Sequence, residues 1–109
     1  MSPSKPGRKD DADKVRWDLL PVRALHSVAE VLTFGVRKYD ENNWQHVRPT
    51  RRYYRAALGH IYARALGEYN DPETGLPHLA HAACCILFLL SNDLGHDPAD
   101  TFEYEENEP

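Results

Sequence analysis

The stretch HIYARALGEYNDPETGLPHLAHAACCILFLLS, residues 60–91, decides how this chain is read. Asp71, Pro72, Glu73, Thr74 and Gly75 form a turn-prone run, and a strongly apolar segment follows it directly. Pro77 suits the first turn of a helix, where its missing N–H costs nothing. Six side chains able to ligate or to move protons lie within 22 positions: His60, Glu68, Asp71, Glu73, His78 and His81. His78 and His81 are three apart and share a helix face. Leu79, Ala83, Ile86, Leu87 and Leu90 lie behind them and are expected in the core. The acidic turn is also ordinary turn chemistry, and a lone histidine near a helix start is usually a satisfied polar residue. Three carboxylates and a third histidine beside the His-x-x-His pair make the stretch a candidate site.

Two more helices are expected upstream. Leu25, Val28, Ala29, Leu32 and Val36 form a helical stripe over roughly 22–37, opened by Pro21. His26, Glu30 and Arg37 lie on a neighbouring polar stripe, of interest only if that stripe faces the cluster. A second helix is predicted over roughly 50–68, with Thr50 as N-cap and Tyr54, Ala57, Leu58, Ile61 and Ala65 as its apolar stripe. His60, Arg64 and Glu68 then follow at i, i+4 and i+8 and project to one side. Arg51, Arg52 and Arg55 cluster in its first turn, where they either touch phosphate or, as the commoner explanation, form a solvated basic patch.

Residues 14–21, KVRWDLLP, read as an extended arm lying on the core. Its Lys14 and Arg16 either close over an anion or stay in water. Between the first two helices, Asp40, Asn42 and Asn43 are turn formers. Lys38, Tyr39, Asn43 and Trp44 suit a nucleoside pocket: rings stack on a base, an amide pairs with its edge, and a lysine holds phosphate. Core capping by Tyr39 and Trp44 is the simpler role for the same residues.

A chain of 109 residues holds one domain at most. Residues 1–13 are expected to be disordered, 14–96 to form the domain, and 97–109 to be an acidic tail of net charge −6. The body, 17–96, is neutral, which argues against nucleic-acid binding. There is no apolar run of about 18 residues, so no membrane span is expected, and the first 16 residues lack the apolar segment that a secretory signal needs. Cys84 and Cys85 are adjacent in a helix and are expected as buried thiols of a cytoplasmic protein. The fold class is all-α, with three main helices. A third helix apolar on every side needs more neighbours than two, so a homodimer or homotetramer is expected to complete the bundle.

Mixed carboxylates and imidazoles suit a divalent metal. Mg²⁺ prefers oxygen donors, and added imidazole shifts preference toward Mn²⁺, Co²⁺, Ni²⁺ or Zn²⁺. Such an ion among helices suits a polyphosphate substrate, whose charge it neutralises while activating water.

The runs KVRWDLLP, VLTFGVRKYDENNW and GEYNDPETGLPHLAHAACCILFLL, in that order, resemble a phage-encoded family of dATP/dGTP diphosphohydrolases, itself similar to the all-α MazG-like nucleotide pyrophosphatases. The likeness covers roughly residues 9–92. It implies an α-helical oligomer that splits a purine deoxynucleoside triphosphate into monophosphate and pyrophosphate with Mg²⁺ or Mn²⁺, in the host bacterial cytoplasm if phage-encoded. The MazG-like pattern is Glu-x-x-Glu followed by Glu-x-x-Asp. This chain has Glu68-x-x-Asp71, and then His78-x-x-His81 where further carboxylates are usual. Either the imidazoles replace carboxylate ligands, or they do acid/base work beside the metal. On this reading Glu68, Asp71, His78 and His81 hold metal. Glu73 or His60 activates water, Lys14, Arg16 and Lys38 contact phosphates, and Tyr39, Asn43 and Trp44 hold the purine. Two alternatives stay open. One is a helical interaction module with a structural Zn²⁺ on His78, His81 and Cys85, joined by Glu68 or His60. The other is a purine-nucleotide-binding protein without turnover.

Overall fold

The computed structural model describes residues 13–39, 41 and 43–95. Asp40, Asn42, His96, the expected acidic tail and all but Asp13 of the expected N-terminal segment lie outside the described residues. Three α-helices carry the structure: α1 (Val22–Val36), α2 (Arg51–Ala65) and α3 (His78–Asp93). Single 3-10 turns span Trp17–Leu19 and Asn43–His46. Among the described residues there is no strand, only a lone antiparallel bridge between Asn70 and Pro77. The all-α expectation therefore holds for the described chain. None of these helices is long and apolar enough to cross a membrane.

Helix α3 is central. It packs against both α2 and α1, while α1 and α2 do not touch each other. Small residues make this close packing possible. His78, Ala82, Cys85 and Leu89 fall on one stripe of α3 and are all buried. His78 meets α2 there, and the buried residue of α2 is Ala57. On another side, Ala80 and Cys84 join Val31 of α1 in a small cluster, covered by Val28, Leu76 and Phe88. Both cysteines are buried free thiols, and the Cys84 thiol donates to the Val28 carbonyl across the seam.

Several expectations need correction. The face of α3 expected in the core is not buried within one chain: Leu79, Ile86, Leu87 and Leu90 are each about half exposed. Leu25, Leu32 and Val36 of α1, and Tyr54, Leu58 and Ile61 of α2, are exposed as well. Each outer helix has a single neighbour, so only one line of its apolar stripe finds cover. Helix α2 ends at Ala65 rather than near 68. Gly67, with φ +106°, lets its own N–H reach the Arg64 carbonyl and the Glu68 N–H reach that of Ala63, the Schellman closure of a helix. Glu68 thus lies past the helix, and its spacing from His60 is not helical. Thr50 makes no side-chain cap, because its backbone is already helical and its hydroxyl cannot fold over the first free N–H groups. The arm does not lie on the core either. Arg16 grips Asp18 through two 2.8 Å hydrogen bonds, which coils residues 17–19 locally, and Trp17 is 74% exposed.

Ala82, on the same stripe of α3 as His78, is 3% exposed. Ala82→Leu is expected to lower unfolding free energy by about 1–3 kcal/mol through overpacking, read from the urea midpoint. An unchanged midpoint would mean that this seam is not close-packed.

Candidate functional site

The loop between α2 and α3 is fixed by its own backbone. The Asp71 N–H donates to the Leu76 carbonyl (2.8 Å), and the Asp71 carbonyl accepts from Gly75 (2.7 Å). Gly75 sits at φ +73°, a left-handed conformation that suits glycine. Asp71 Oδ1 accepts the Glu73 N–H at 2.7 Å, and Thr74 Oγ1 accepts the Leu76 N–H at 3.2 Å. At the loop's base the His78 N–H donates to the Tyr69 carbonyl (2.9 Å), and the Pro77 carbonyl accepts the first bonds of α3.

This clamp gathers side chains around His60 of α2. His60 Nδ1 lies 2.9 Å from His78 Nδ1 and 3.7 Å from Asp71 Oδ2. The Glu68 carboxylate accepts from His78 Nε2 at 2.6 Å. His81 stacks on His60, with ring centroids 4.7 Å apart and planes 11° apart, and its Nε2 is 2.7 Å from Thr74 Oγ1. Two facing Nδ1 atoms need one proton and one lone pair between them. With His78 Nε2–H given to Glu68, a neutral His78 presents its Nδ1 lone pair, and the network assigns the shared proton to His60 Nδ1.

Burial lowers the pKa of His60, and neighbouring His81 adds to the effect, while Asp71 pulls the other way. Burial likewise lowers that of His81, opposed by Asp71 and assisted by His78. Both rings are therefore neutral near pH 7, the state in which imidazole ligates metal or accepts a proton. His60, Asp71 and His78 form the one metal-competent group among the described residues, each offering a donor atom within 4.8 Å of the others. Two imidazoles and a carboxylate fit a divalent ion chemically. His78, His81 and Cys85 are not gathered into a donor set. His81 is engaged with Thr74, and burial raises the Cys85 pKa. Cys84 is pushed up to about 12 by burial and by Cys85, so in the absence of a metal both thiols stay protonated.

Because α1 and α2 stand apart, an open cleft of about 1000 Å³ lies between them with α3 as its floor. Tyr39, Asn43 and Trp44 line it, together with Arg52, Phe88 and His81. His81 thus borders both the cleft and the histidine cluster. Trp44 stacks on Phe88 at 4.9 Å, and Tyr53 meets Phe88 edge-on. The capping role foreseen for Trp44 is therefore present alongside its place in the cleft wall. Lys38 lies 3.6 Å from Glu73 and 5.5 Å from the Tyr39 ring centroid, so the Glu73 carboxylate is exposed toward Lys38. Lys14 and Arg16 are on the exposed arm. The polar stripe of α1 does meet the loop: His26, Glu30 and Arg37 line a hollow of about 280 Å³ with Thr74 and Leu76.

Sequence reading passed over Thr74 and Phe88, the first hidden in a run that reads as turn and the second in a uniformly apolar helix, while Arg52, one of the arginines weighed for phosphate, lines the cleft.

Both histidine pKa values lie below the ordinary 6.5. The unfolded chain therefore binds more protons than the folded one as pH falls through that value, and stability present above it is lost on acidification. In chelator-treated protein, Tm is expected to fall between about pH 7.5 and about pH 5.5, and to fall less in His81→Gln. Equal falls in both proteins would contradict the assignment.

Comparison with known proteins places the chain in a family. Residues 4–101 match the family model described as dATP/dGTP diphosphohydrolase, N-terminal. A protein of Salmonella phage PMBT28 named dATP/dGTP diphosphohydrolase is 36% identical over 84 residues, which take in 77% of this chain and 29% of that protein. The chain thus spans under a third of that relative's length. No solved structure matches. On the extent of the family match, the chain belongs to the dATP/dGTP diphosphohydrolase N-terminal family.

Proposed function

We propose that this chain is a nucleotide hydrolase that splits a purine deoxynucleoside triphosphate, dATP or dGTP, between its α and β phosphates. The observation that carries the reading is the adjacency of a neutral histidine–carboxylate cluster to an aromatic-walled cleft, joined through His81. Family membership and the name of the phage relative support the substrate class.

His60, Asp71 and His78 would hold a divalent ion, Mg²⁺ or Mn²⁺ by resemblance. When bound, such an ion offsets polyphosphate charge and acidifies a coordinated water. This revises the expected donor set: His60 enters, Glu68 stands behind His78, and His81 faces the cleft. Tyr39 and Asn43 hold the purine against the Trp44 wall. Lys38 and Arg52 steady the phosphates, and Lys14 and Arg16 add positive charge from the arm. A water attacks the α-phosphorus, its proton passes to a ring nitrogen of His81, and the bond to the α–β bridging oxygen breaks. Pyrophosphate leaves, and the monophosphate remains. Burial suits His81 to this step, since it keeps the ring neutral. Glu73 stands in reserve as the second base candidate.

We propose also that a second copy completes the core, as a dimer or tetramer. The support is the run of half-exposed Leu79, Ile86 and Leu90 along α3, an apolar face larger than a small stable monomer usually leaves in water.

Two experiments test these readings. Purified protein with each common dNTP and NTP, with Mg²⁺ or Mn²⁺, is expected to give monophosphate and pyrophosphate from the purine deoxynucleotides. Asp71→Asn and His81→Gln are each expected to lower kcat by about 10²-fold or more. Full turnover in both variants, or no product from any nucleotide, would remove the proposal. Ile86→Glu is expected to halve the mass seen by light scattering, and an unchanged mass would remove the assembly.

A further inference from the structure

We infer that the His60–Asp71–His78 cluster is a site for a transition-metal ion that accepts imidazole, such as Mn²⁺, Co²⁺, Ni²⁺ or Zn²⁺, in preference to Mg²⁺, and that Glu68 is the outer carboxylate that positions His78 and is not itself a ligand. The inference rests on the metal-holding reading of this cluster given above and deepens it.

Spacing is the first support. Two ligands at about 2.1 Å from one ion stand about 3.0 Å apart when they are octahedral neighbours, and about 3.4 Å apart in a tetrahedron. His60 Nδ1 and His78 Nδ1 are 2.9 Å apart, and His60 Nδ1 and Asp71 Oδ2 are 3.7 Å apart. The two imidazole donors already stand at the octahedral separation, the Asp71 oxygen is a few tenths of an ångström beyond the tetrahedral one, and all three donor atoms lie within 4.8 Å of one another. Two of the three are nitrogens, whereas Mg²⁺ binds through oxygen and dehydrates reluctantly. Soft-to-borderline ions gain affinity from each imidazole.

The place of Glu68 is the second support. His78 is 5% exposed, and both its ring nitrogens are engaged. Nε2 gives its hydrogen to Glu68 at 2.6 Å, which leaves the Nδ1 lone pair aimed at the cluster. A ligating histidine backed by a carboxylate on its other nitrogen has a fixed tautomer and a more basic donor atom. Asp71 is prepared in a different way. Its Oδ1 is spent on the Glu73 N–H, so Oδ2 is the oxygen left to face His60. His78 and Asp71 are thus each oriented by a bond made on the far side, and His60 is held by its stack on His81. On binding, the proton on His60 Nδ1 moves to Nε2 of the same ring, so both imidazoles ligate as neutral groups.

Direct metal binding tests this without nucleotide. Metal-stripped full-length protein is titrated with Co²⁺, following visible absorption and calorimetry. One Co²⁺ per chain is expected, with little net proton release near pH 7 because the imidazoles are already neutral, and millimolar Mg²⁺ is expected not to displace it. Glu68→Ala is expected to weaken Co²⁺ binding by about 10- to 100-fold while the absorption envelope is kept, and Glu68→Gln to recover part of the affinity. His60→Gln is expected to change the envelope or abolish binding, with folding checked by circular dichroism. Displacement by Mg²⁺, a changed envelope in Glu68→Ala, or binding that survives His60→Gln unaltered would overturn the inference. Tight Co²⁺ binding without cleavage of any nucleotide would uphold this inference and remove the hydrolase proposal. Cleavage with Mg²⁺ and no Co²⁺ binding would do the reverse.

Discussion

The close approach of α3 to α2 is the constraint on which the rest depends. It works because the stripe His78, Ala82, Cys85 and Leu89 carries small residues in its middle, opposite a helix whose own buried residue is an alanine. Larger side chains there would push the helices apart. His78 and His60 sit on that same seam, so the distance that packing sets is also the distance between their ring nitrogens. Packing and chemistry share one coordinate. The site needs no long side chains reaching across solvent, whose ordering would cost rotamer entropy.

The loop solves a second problem. Three groups come to α2 from beyond its end, and a chain leaving a helix has many ways to go. The glycine closure after Leu66, the Asn70–Pro77 bridge and the bonds around Asp71 remove those choices. Asp71 serves on both sides of this arrangement, with one oxygen building the turn and the other turned toward His60. One oxygen carries the turn chemistry, and the other is the donor atom of the metal-competent group.

Helix existence and type were legible because Pro21, Pro77 and the 3.6-residue apolar spacing are local signals. The first helix was predicted to within a residue. The end of α2 was not, since Gly67 within an otherwise helical pattern looks tolerable until its φ is known. The clustering of His60, Asp71, His78 and His81 was legible from their density about a turn. Which nitrogen faces which partner was not, because that follows from the interhelical distance and from Thr74, whose hydroxyl carries no signature in sequence. The outer faces misled for a simple reason: a leucine stripe announces that it will be covered, but not by what.

The separation of α1 from α2 has a consequence for variation. The metal-competent donors lie on α2, the loop and the start of α3, while one whole wall of the cleft belongs to α1 and the segment after it. Substitutions at Leu32, Val36 or Tyr39 can widen, narrow or recontour the opening without moving any of those donor atoms. The contour of the opening and the donor cluster beside it can drift at different rates. A lineage could reshape the opening by editing a single helix face, with the histidine–carboxylate cluster carried along unchanged.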